Sequence, residues 1–155
     1  MKKIIFSVLA LSLIAGSISG QSKIEKEKEA IKKVIQAQLD AGRTNSYEGE
    51  AAVWAHTPYI YKAETVGWDS ISFKYQENFK ARKVRWEKDN NKWTVNKASN
   101  FDIYVNGNFA SVFHDHYNEW TENGEEKTGD GNRGHKYLEK IDGEWKIIAV
   151  FPGQN

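Results

Sequence analysis

The stretch YLEKIDGEWKIIAV, residues 137–150, contains two alternating apolar segments on either side of a tight turn. Asp142-Gly143 is a dipeptide typical of two-residue β-hairpin turns. The pattern predicts one strand over residues 133–141 and another over residues 144–151. Residues 133–151 are therefore predicted to form an antiparallel hairpin, which indicates that the domain contains an antiparallel sheet.

More strands are predicted before this hairpin. A long alternating strand over 109–120 follows Asn106-Gly107, which is a second hairpin dipeptide. Two short alternating pieces precede it, at 93–95 and 101–105. Residues 121–132 are rich in Gly, Glu and Lys and predict an exposed, mobile loop. The second half of the chain thus predicts an antiparallel meander.

The first half predicts three helices. Apolar residues recur every three to four positions over 23–41. Asn45 with Glu48 resembles a capping box that opens a short second helix. Asp69 can cap a third helix, whose apolar stripe is Trp68, Ile71, Tyr75 and Phe79. Helices followed by a meander predict an α+β domain with the helices on one face of the sheet.

The N-terminus has the order of residues of an export signal. Lys2 and Lys3 precede an apolar run over 4–14, and small residues follow up to Gly20. The run is shorter than the roughly 20 residues that span a bilayer. We therefore expect residues 1–20 to be removed after Ser19 or Gly20, and residues 23–152 to form one secreted or periplasmic domain with no membrane contact.

Composition limits the partners of this domain. The full chain has 22 basic and 21 acidic residues, and losing Lys2 and Lys3 leaves 20 against 21. Such a balanced charge excludes a nucleic-acid-binding footprint. The chain has no cysteine, so the domain must be held by its core without disulfides.

Four segments resemble the NTF2-like superfamily, and in particular its secreted bacterial SnoaL-like and DUF4440-like members. They are AIKKVIQAQLDA (30–41), GWDSI (67–71), VNGNFASV (105–112) and YLEKIDGEWKIIAV (137–150). The resemblance implies a cone in which three N-terminal helices pack in a strongly curved antiparallel sheet and leave a pocket at one end. It specifies the fold more closely than the activity, because this fold has many functions.

The isomerases of this superfamily have a general-base carboxylate just after the second helix. Here residues 54–63 read WAHTPYIYKA and contain no Asp or Glu. His56 is the only candidate base in that segment. Isomerase chemistry of that kind is therefore not expected.

The four histidines of the domain are candidates for the site. Alternation places His114 and His116 on one face of a strand, behind Ala110 and Val112, which suggests the inner face. His135 lies on the next strand. Three interpretations remain open: acid–base catalysis by one or two imidazoles, a metal site made of His114, His116 and His135, or hydrogen-bonded histidines with no chemical role.

The catalytic candidates are His56 and His116, with Tyr61 or Tyr137 as a hydrogen-bond donor. Aromatic and imidazole side chains are expected to line the pocket. The predicted lining residues are Trp54, Tyr59, Trp68, Tyr75, His114, Trp120, His135 and Tyr137. Asp115 alternates to the opposite face from His114 and is a poor partner for it.

We therefore predict a protein that binds a small, mostly apolar organic molecule, without a cofactor, and leave open whether it catalyses a reaction. The alternative is a non-catalytic domain that forms a homodimer through the outer face of the sheet, where Phe109, Phe113 and Tyr117 alternate. A second alternative is a metal-binding protein that uses the histidine cluster.

Overall fold

The computed structural model describes the backbone of residues 5–151 and the side chains of residues 21–129 and 131–151. The predicted export signal, residues 1–20, lies outside the residues whose side chains are described. Within the described part of the chain, no helix combines the length and the apolar character needed to cross a membrane.

Three helices precede most of the sheet. The helices are α1 (Ile5–Thr44), α2 (Tyr47–Val53) and α3 (Trp68–Asp89). The strands are β1 (Tyr61–Lys62), β2 (Thr65–Val66), β3 (Lys92–Asn106), β4 (Phe109–Glu122), β5 (Glu125–Asp130), β6 (Gly134–Ile141) and β7 (Glu144–Phe151).

The strands form one sheet in the order β2-β1-β7-β6-β4-β3, with β5 paired to the far half of β4. This arrangement confirms the predicted α+β class. The short strand β1 runs parallel to β7, with Tyr61 opposite Ala149, so the sheet is mixed and not purely antiparallel. A long connection that contains most of the chain joins these two strands, and such a connection permits the parallel direction that a hairpin forbids.

The helix caps differ from the predicted ones. Asn45 has a left-handed backbone (φ 54°) and donates to the Phe79 carbonyl oxygen at 3.0 Å. Ser46 is the N-cap of α2, because its Oγ accepts from the Gly49 amide at 3.0 Å. α3 begins after Gly67 (φ 82°) with no side-chain cap, so Asp69 does not have the predicted capping role.

The strand β3 replaces two predicted short pieces. Its register against β4 shifts between Trp93 and Val95 and again between Ser99 and Asp102. Each shift interrupts the alternation without ending the strand, as a β-bulge does, and each bends it. The breaks in the sequence pattern therefore mark bends of one long strand.

The predicted loop at 121–132 is wrong over most of its length. Asn123 (φ 52°) and Gly124 (φ 83°) form a two-residue turn, which Asn-Gly favours. β5 then pairs with β4, with Glu122 opposite Glu125. Its polar composition concealed the strand, since it contains no apolar alternation. The earlier hairpin turn also moves by one residue, to Gly107-Asn108, because Asn106 pairs with Phe109.

The core lies between the helices and one face of the sheet, which we call the inner face. Its fully buried members include Ile31, Ile35, Ile60, Ile71, Val112, Leu138 and Ile147. Several polar residues are buried in the same layer, namely Glu50, Asn96, His114 and Lys136. These four polar residues line a cavity next to the apolar core.

Candidate functional site

A cavity of about 510 Å³ lies between the helices and the inner face of the sheet, and we call it the cone cavity. Its volume is within the range of small-molecule sites. Its apolar wall is formed by Leu39, Tyr75, Phe79 and Trp93. Its polar lining includes Gln38, Glu50, Lys62, Arg82, Asn96, His114, His116, Asn118, Asn132 and Lys136.

Lys62 reaches the cone cavity from β1. Ile60 is fully buried, and alternation along this strand turns Lys62 to the same side. Its Nζ donates to Tyr75 Oη and lies 3.7 Å from the centroid of the Tyr75 ring. Burial lowers the pKa of Lys62 to about 8, against the opposing attraction of Glu50. Burial also raises the pKa of the Tyr75 hydroxyl, which keeps it neutral.

Lys136 enters the cone cavity from β6. It pairs with Val112, and Leu138 pairs with Ala110, so Lys136 and Leu138 share the inner face. Lys136 is only 6% exposed. Burial lowers the pKa of its ammonium to about 8; the carboxylate of Glu50 opposes this shift. Among the side chains that the structure describes, none forms a hydrogen bond or ion pair with Lys136 Nζ.

Glu50 is the single carboxylate among the described lining residues. It is 3% exposed, and its Oε1 accepts from Gln38 Nε2 at 2.9 Å and from Trp54 Nε1 at 3.1 Å. Arg82 adds a third cation, anchored by NH1 to the Gly42 carbonyl oxygen at 2.9 Å. The described lining thus has three cationic side chains for one carboxylate, an excess that favours anions.

His114 and His116 also line the cone cavity, both from β4. His114 is 1% exposed, and its Nδ1–H donates to the Asp115 carbonyl oxygen at 3.3 Å. Its buried Nε2 has no hydrogen-bond partner among the described residues. Burial, with repulsion from Lys136, lowers the pKa of His114 to about 4, so this imidazole is neutral at pH 7.

The tautomer of His116 follows from Asn96. The Asn96 Nδ2 donates to the Leu39 carbonyl oxygen at 2.7 Å. The amide oxygen of Asn96 must therefore be the atom that faces His116. His116 Nε2–H therefore donates to Asn96 Oδ1, and Nδ1 carries no proton. Burial, with repulsion from Lys136, lowers the pKa of His116. Each imidazole therefore has one unprotonated nitrogen that can accept a hydrogen bond.

Of the predicted pocket residues, Tyr75 and His114 line the cone cavity, as does the catalytic candidate His116. His135 and Tyr137 do not, because His135 pairs with Phe113 and so lies on the opposite, outer face of the sheet. His135 stacks on the Phe113 ring at 4.0 Å, and its Nε2 forms a 3.0 Å hydrogen bond with Ser111 Oγ. The inward places on β6 belong to Lys136 and Leu138.

This register also contradicts a metal site made of His114, His116 and His135, because the sheet separates His135 from the other two. In the part of the chain that the structure describes, no three His, Cys, Asp or Glu side chains are placed to hold one metal ion. Asp115 faces outward, as alternation predicts, and accepts from Arg133 NH1 at 2.8 Å.

The two other catalytic candidates also lie away from the cavity lining. His56 is exposed, stacks on Trp68 with centroids 4.1 Å apart, and its Nε2–H donates to the Ala51 carbonyl oxygen at 2.8 Å. Tyr61 stacks on Phe151 at 5.4 Å. The proposed catalytic roles of His56 and Tyr61 thus have no support from the geometry, since neither residue reaches the cavity that holds His116.

The remaining aromatic candidates contact other parts of the protein and lie outside the cavity lining. Trp54 is buried in the core, where its indole N–H fixes Glu50. Tyr59 is exposed and donates to Glu139 Oε2 at 2.6 Å. Trp120 packs over Gly129 of β5. None of the three lines the cone cavity, and Trp68 does not line it either, because it packs against His56.

Sequence reasoning missed the charged residues of the site. Lys62 and Lys136 could have been found from alternation, because each lies two residues from an apolar position that must be buried, Ile60 and Leu138. No such signal exists for Glu50 or Arg82, since a charged residue on a helix ordinarily faces solvent.

Comparisons with known proteins rest on structure alone, because no protein-family model matches the chain and no curated protein matches its sequence. An NTF2-like protein with a cystatin-like fold from Novosphingobium aromaticivorans superposes with a TM-score of 0.65 at 11% identity, covering 86% of this chain and 84% of that one. The chain has an NTF2-like fold. This fold was predicted from the sequence and is confirmed.

Two other solved structures agree with this fold. An NTF2-like protein of unknown function from Pseudomonas putida KT2440 has a TM-score of 0.61 at 12% identity, covering 84% of this chain and 88% of that one. An NTF2-like protein from Cytophaga hutchinsonii has a TM-score of 0.57 at 17% identity, covering 83% and 98%. These comparisons show the fold, and the chemistry of the cone cavity follows from its lining residues alone.

The buried His114 imidazole makes stability depend on pH. Its pKa is about 4 in the folded chain and 6.5 without the fold, so the unfolded chain binds more protons between these values. Stability from this group is complete above pH 6.5 and is lost as the pH falls toward 4. Between these pH values, the free energy of unfolding of the wild type should fall by up to about 3 kcal/mol more than that of His114→Gln.

Urea denaturation across this pH range measures the difference. His56→Gln is the matched control, because His56 is exposed, and its pH dependence should follow the wild type. Parallel curves for the wild type and His114→Gln would contradict a buried, neutral His114.

Proposed function

We propose that this protein is an exported binding protein whose cone cavity holds a small organic anion, a carboxylate on a flat apolar body. The observation that carries the proposal is the buried ammonium of Lys136, which has no partner among the described side chains and shares the cavity lining with Lys62 and Arg82. The proposal modifies the mostly apolar ligand predicted from the sequence by adding a negatively charged group.

Electrostatics supports an anionic ligand. Burying a charge costs free energy unless an opposite charge or hydrogen bonds compensate it. Glu50 can compensate one of the three cations in the described lining, and its Oε1 is already shared with Gln38 and Trp54. A ligand carboxylate would supply the missing counter-charge.

The apolar wall supports a flat, hydrophobic body for the ligand. Tyr75, Phe79 and Trp93 line the same cavity as the cations. The Arg82 guanidinium lies 4.6 Å from the Trp93 ring centroid, so a charged surface and an aromatic surface are adjacent. An aromatic carboxylate fits both.

Acid–base chemistry in the cone cavity would fall to His116. Its Nε2–H is engaged by Asn96, which leaves Nδ1 as the unprotonated nitrogen. His56 and Tyr61 are not included in this role, because they lie outside the lining.

The proposed export is supported by the order of residues at the N-terminus, where Lys2 and Lys3, an apolar run and small residues follow one another. Cleavage after Ser19 or Gly20 would make Gly20 or Gln21 the first residue. The intact mass of the chain recovered from the periplasm or the medium tests this, and a cytoplasmic chain that keeps Lys2 and Lys3 would contradict it.

Binding of para-(hydroxymethyl)benzoate, measured by calorimetry, tests the anion site. Lys62→Met should weaken binding about tenfold, because it removes one buried cation. Glu50→Gln should strengthen binding several-fold, because it removes the anion that competes with the ligand while keeping an oxygen for Gln38 and Trp54.

Lys80→Met is the control for this experiment, since Lys80 is an exposed lysine of α3, and its dissociation constant should equal that of the wild type. Equal affinity in all four proteins, or weaker binding by Glu50→Gln, would contradict the anion site.

A second candidate function is self-association through the outer face of the sheet. The ring centroids of His135 and Tyr137 lie 4.6 Å apart on this face. The Tyr137 ring packs edge-on against the Phe151 ring, with the centroids 5.9 Å apart. Phe109 is 55% exposed and Tyr137 is 40% exposed on this face. Aromatic patches of this kind are typical of interfaces, and the partner that we propose is a second copy of the chain.

Sedimentation analysis tests this second candidate. The wild type should be a dimer, and Tyr137→Asp should shift it to the monomer, because a charge in an aromatic interface costs free energy. Phe73→Asp is the control, since Phe73 is a 66% exposed aromatic residue of α3, and it should leave the dimer intact. A wild-type monomer at high concentration would refute self-association.

A further inference from the structure

Lys136 differs from other lysines near it in having no partner among the described side chains. Lys140, four residues further along β6, donates to both carboxylate oxygens of Glu27 at 2.8 Å. Lys146 on β7 donates to the Ala52 carbonyl oxygen at 2.9 Å. Lys62, the other lysine of the cone cavity, is held by Tyr75 Oη. Because no described side chain holds the Lys136 amine, this amine can contact a ligand in the cone cavity.

The surroundings of Lys136 suit an amine that reacts as a nucleophile. The charged groups that act on it are Glu50 from α2 and Lys62 from β1. His114 and His116 from β4 are close enough for Lys136 to lower the pKa of both. Each imidazole has one unprotonated nitrogen, and the buried His114 Nε2 has no partner among the described residues. Hydrogen-bond acceptors therefore lie near an amine that has no partner among the described side chains.

We propose that Lys136 is a reactive amine that condenses with the carbonyl group of an aldehyde or ketone in the cone cavity to form an imine. The inference rests on the proposed function, because the cations near Lys136 would hold the carboxylate of such a compound. The class of ligand is thus a small aromatic or apolar oxo-acid.

The condensation balances without any further reactant. The Lys136 nitrogen bonds to the carbonyl carbon, and one of its protons moves to the carbonyl oxygen, giving a carbinolamine. Loss of one water molecule, made from that hydroxyl and the remaining nitrogen-bound proton, leaves the C=N bond. No electrons are gained or lost, and a neighbouring imidazole can carry the protons.

The protonation state of Lys136 supports this reactivity. An amine attacks only in its neutral form, and burial lowers the pKa of Lys136 to about 8 from 10.5. At pH 7 about one Lys136 in ten is then a free amine, against about one in three thousand for an ordinary lysine.

Reductive trapping tests the inference. The wild-type protein is incubated at pH 7 with para-formylbenzoate and cyanoborohydride, and the reduced adduct is located by peptide mass spectrometry. We expect labelling of Lys136 to exceed that of Lys97, an exposed lysine of β3, by at least about tenfold, because burial lowers the pKa of Lys136 and the cone cavity holds the reagent beside it. Labelling spread evenly over exposed lysines, or confined to Lys62, would overturn the inference.

Lys136→Arg separates reactivity from charge. Arginine keeps the cation but remains protonated, so it cannot condense. This variant should lose the cavity adduct, and its affinity for para-(hydroxymethyl)benzoate, which has no carbonyl group, is measured separately as a readout of the anion site. Lys97→Arg is the control and should keep both properties. The mapping on the wild type needs no variant, so a misfolded Lys136→Arg would leave the test intact.

The two proposals fail in different ways. If para-(hydroxymethyl)benzoate binds but Lys136 is not labelled by para-formylbenzoate, the reactive amine is refuted and the anion site stands. If uncharged benzaldehyde labels Lys136 while no carboxylate binds, the reactive amine stands and the anion site is refuted.

Discussion

The charges of the cone cavity depend on the attraction between the Glu50 carboxylate and the cationic side chains around it. Glu50 is almost fully buried on α2, and its orientation is fixed by hydrogen bonds from Gln38 on α1 and from the Trp54 indole. Its charge opposes the loss of protons from Lys62 and Lys136, which burial alone would favour. Without this carboxylate, two ammonium groups and a guanidinium would share one wall with no compensating charge among the described side chains.

The fold brings these charges together from separate parts of the chain. β1 supplies Lys62 only because it pairs in parallel with β7, and β6 supplies Lys136 through its register with β4. Bulges in β3 bend the strand that faces α1, and Asn96 of that strand ties α1 to His116 through its two amide atoms. The cavity is therefore a product of sheet geometry, and its polar groups are positioned by backbone pairing.

The two faces of the sheet have different chemistry. The inner face contains lysines and imidazoles beside aromatic rings, and the proposed anionic ligand would bind there. The outer face contains the stacked rings of Phe113 and His135, with Tyr137 and Phe151 beside them. On β6, successive side chains alternate between the two faces. Lys136 therefore faces the cavity, while its neighbours His135 and Tyr137 face outward.

The sequence by itself determined the class of the fold, the terminal hairpin at Asp142-Gly143 and the inward direction of His114 and His116. These features are local, because alternation and turn chemistry depend on residues close together in the chain. Only the tertiary structure decided which strand face is inner on β6, that β3 is continuous, and that Glu50 and Arg82 meet two lysines in one cavity. Those facts depend on register and on contacts between distant segments, and the tolerance of a buried charge depends on the opposite charge that such contacts bring to it.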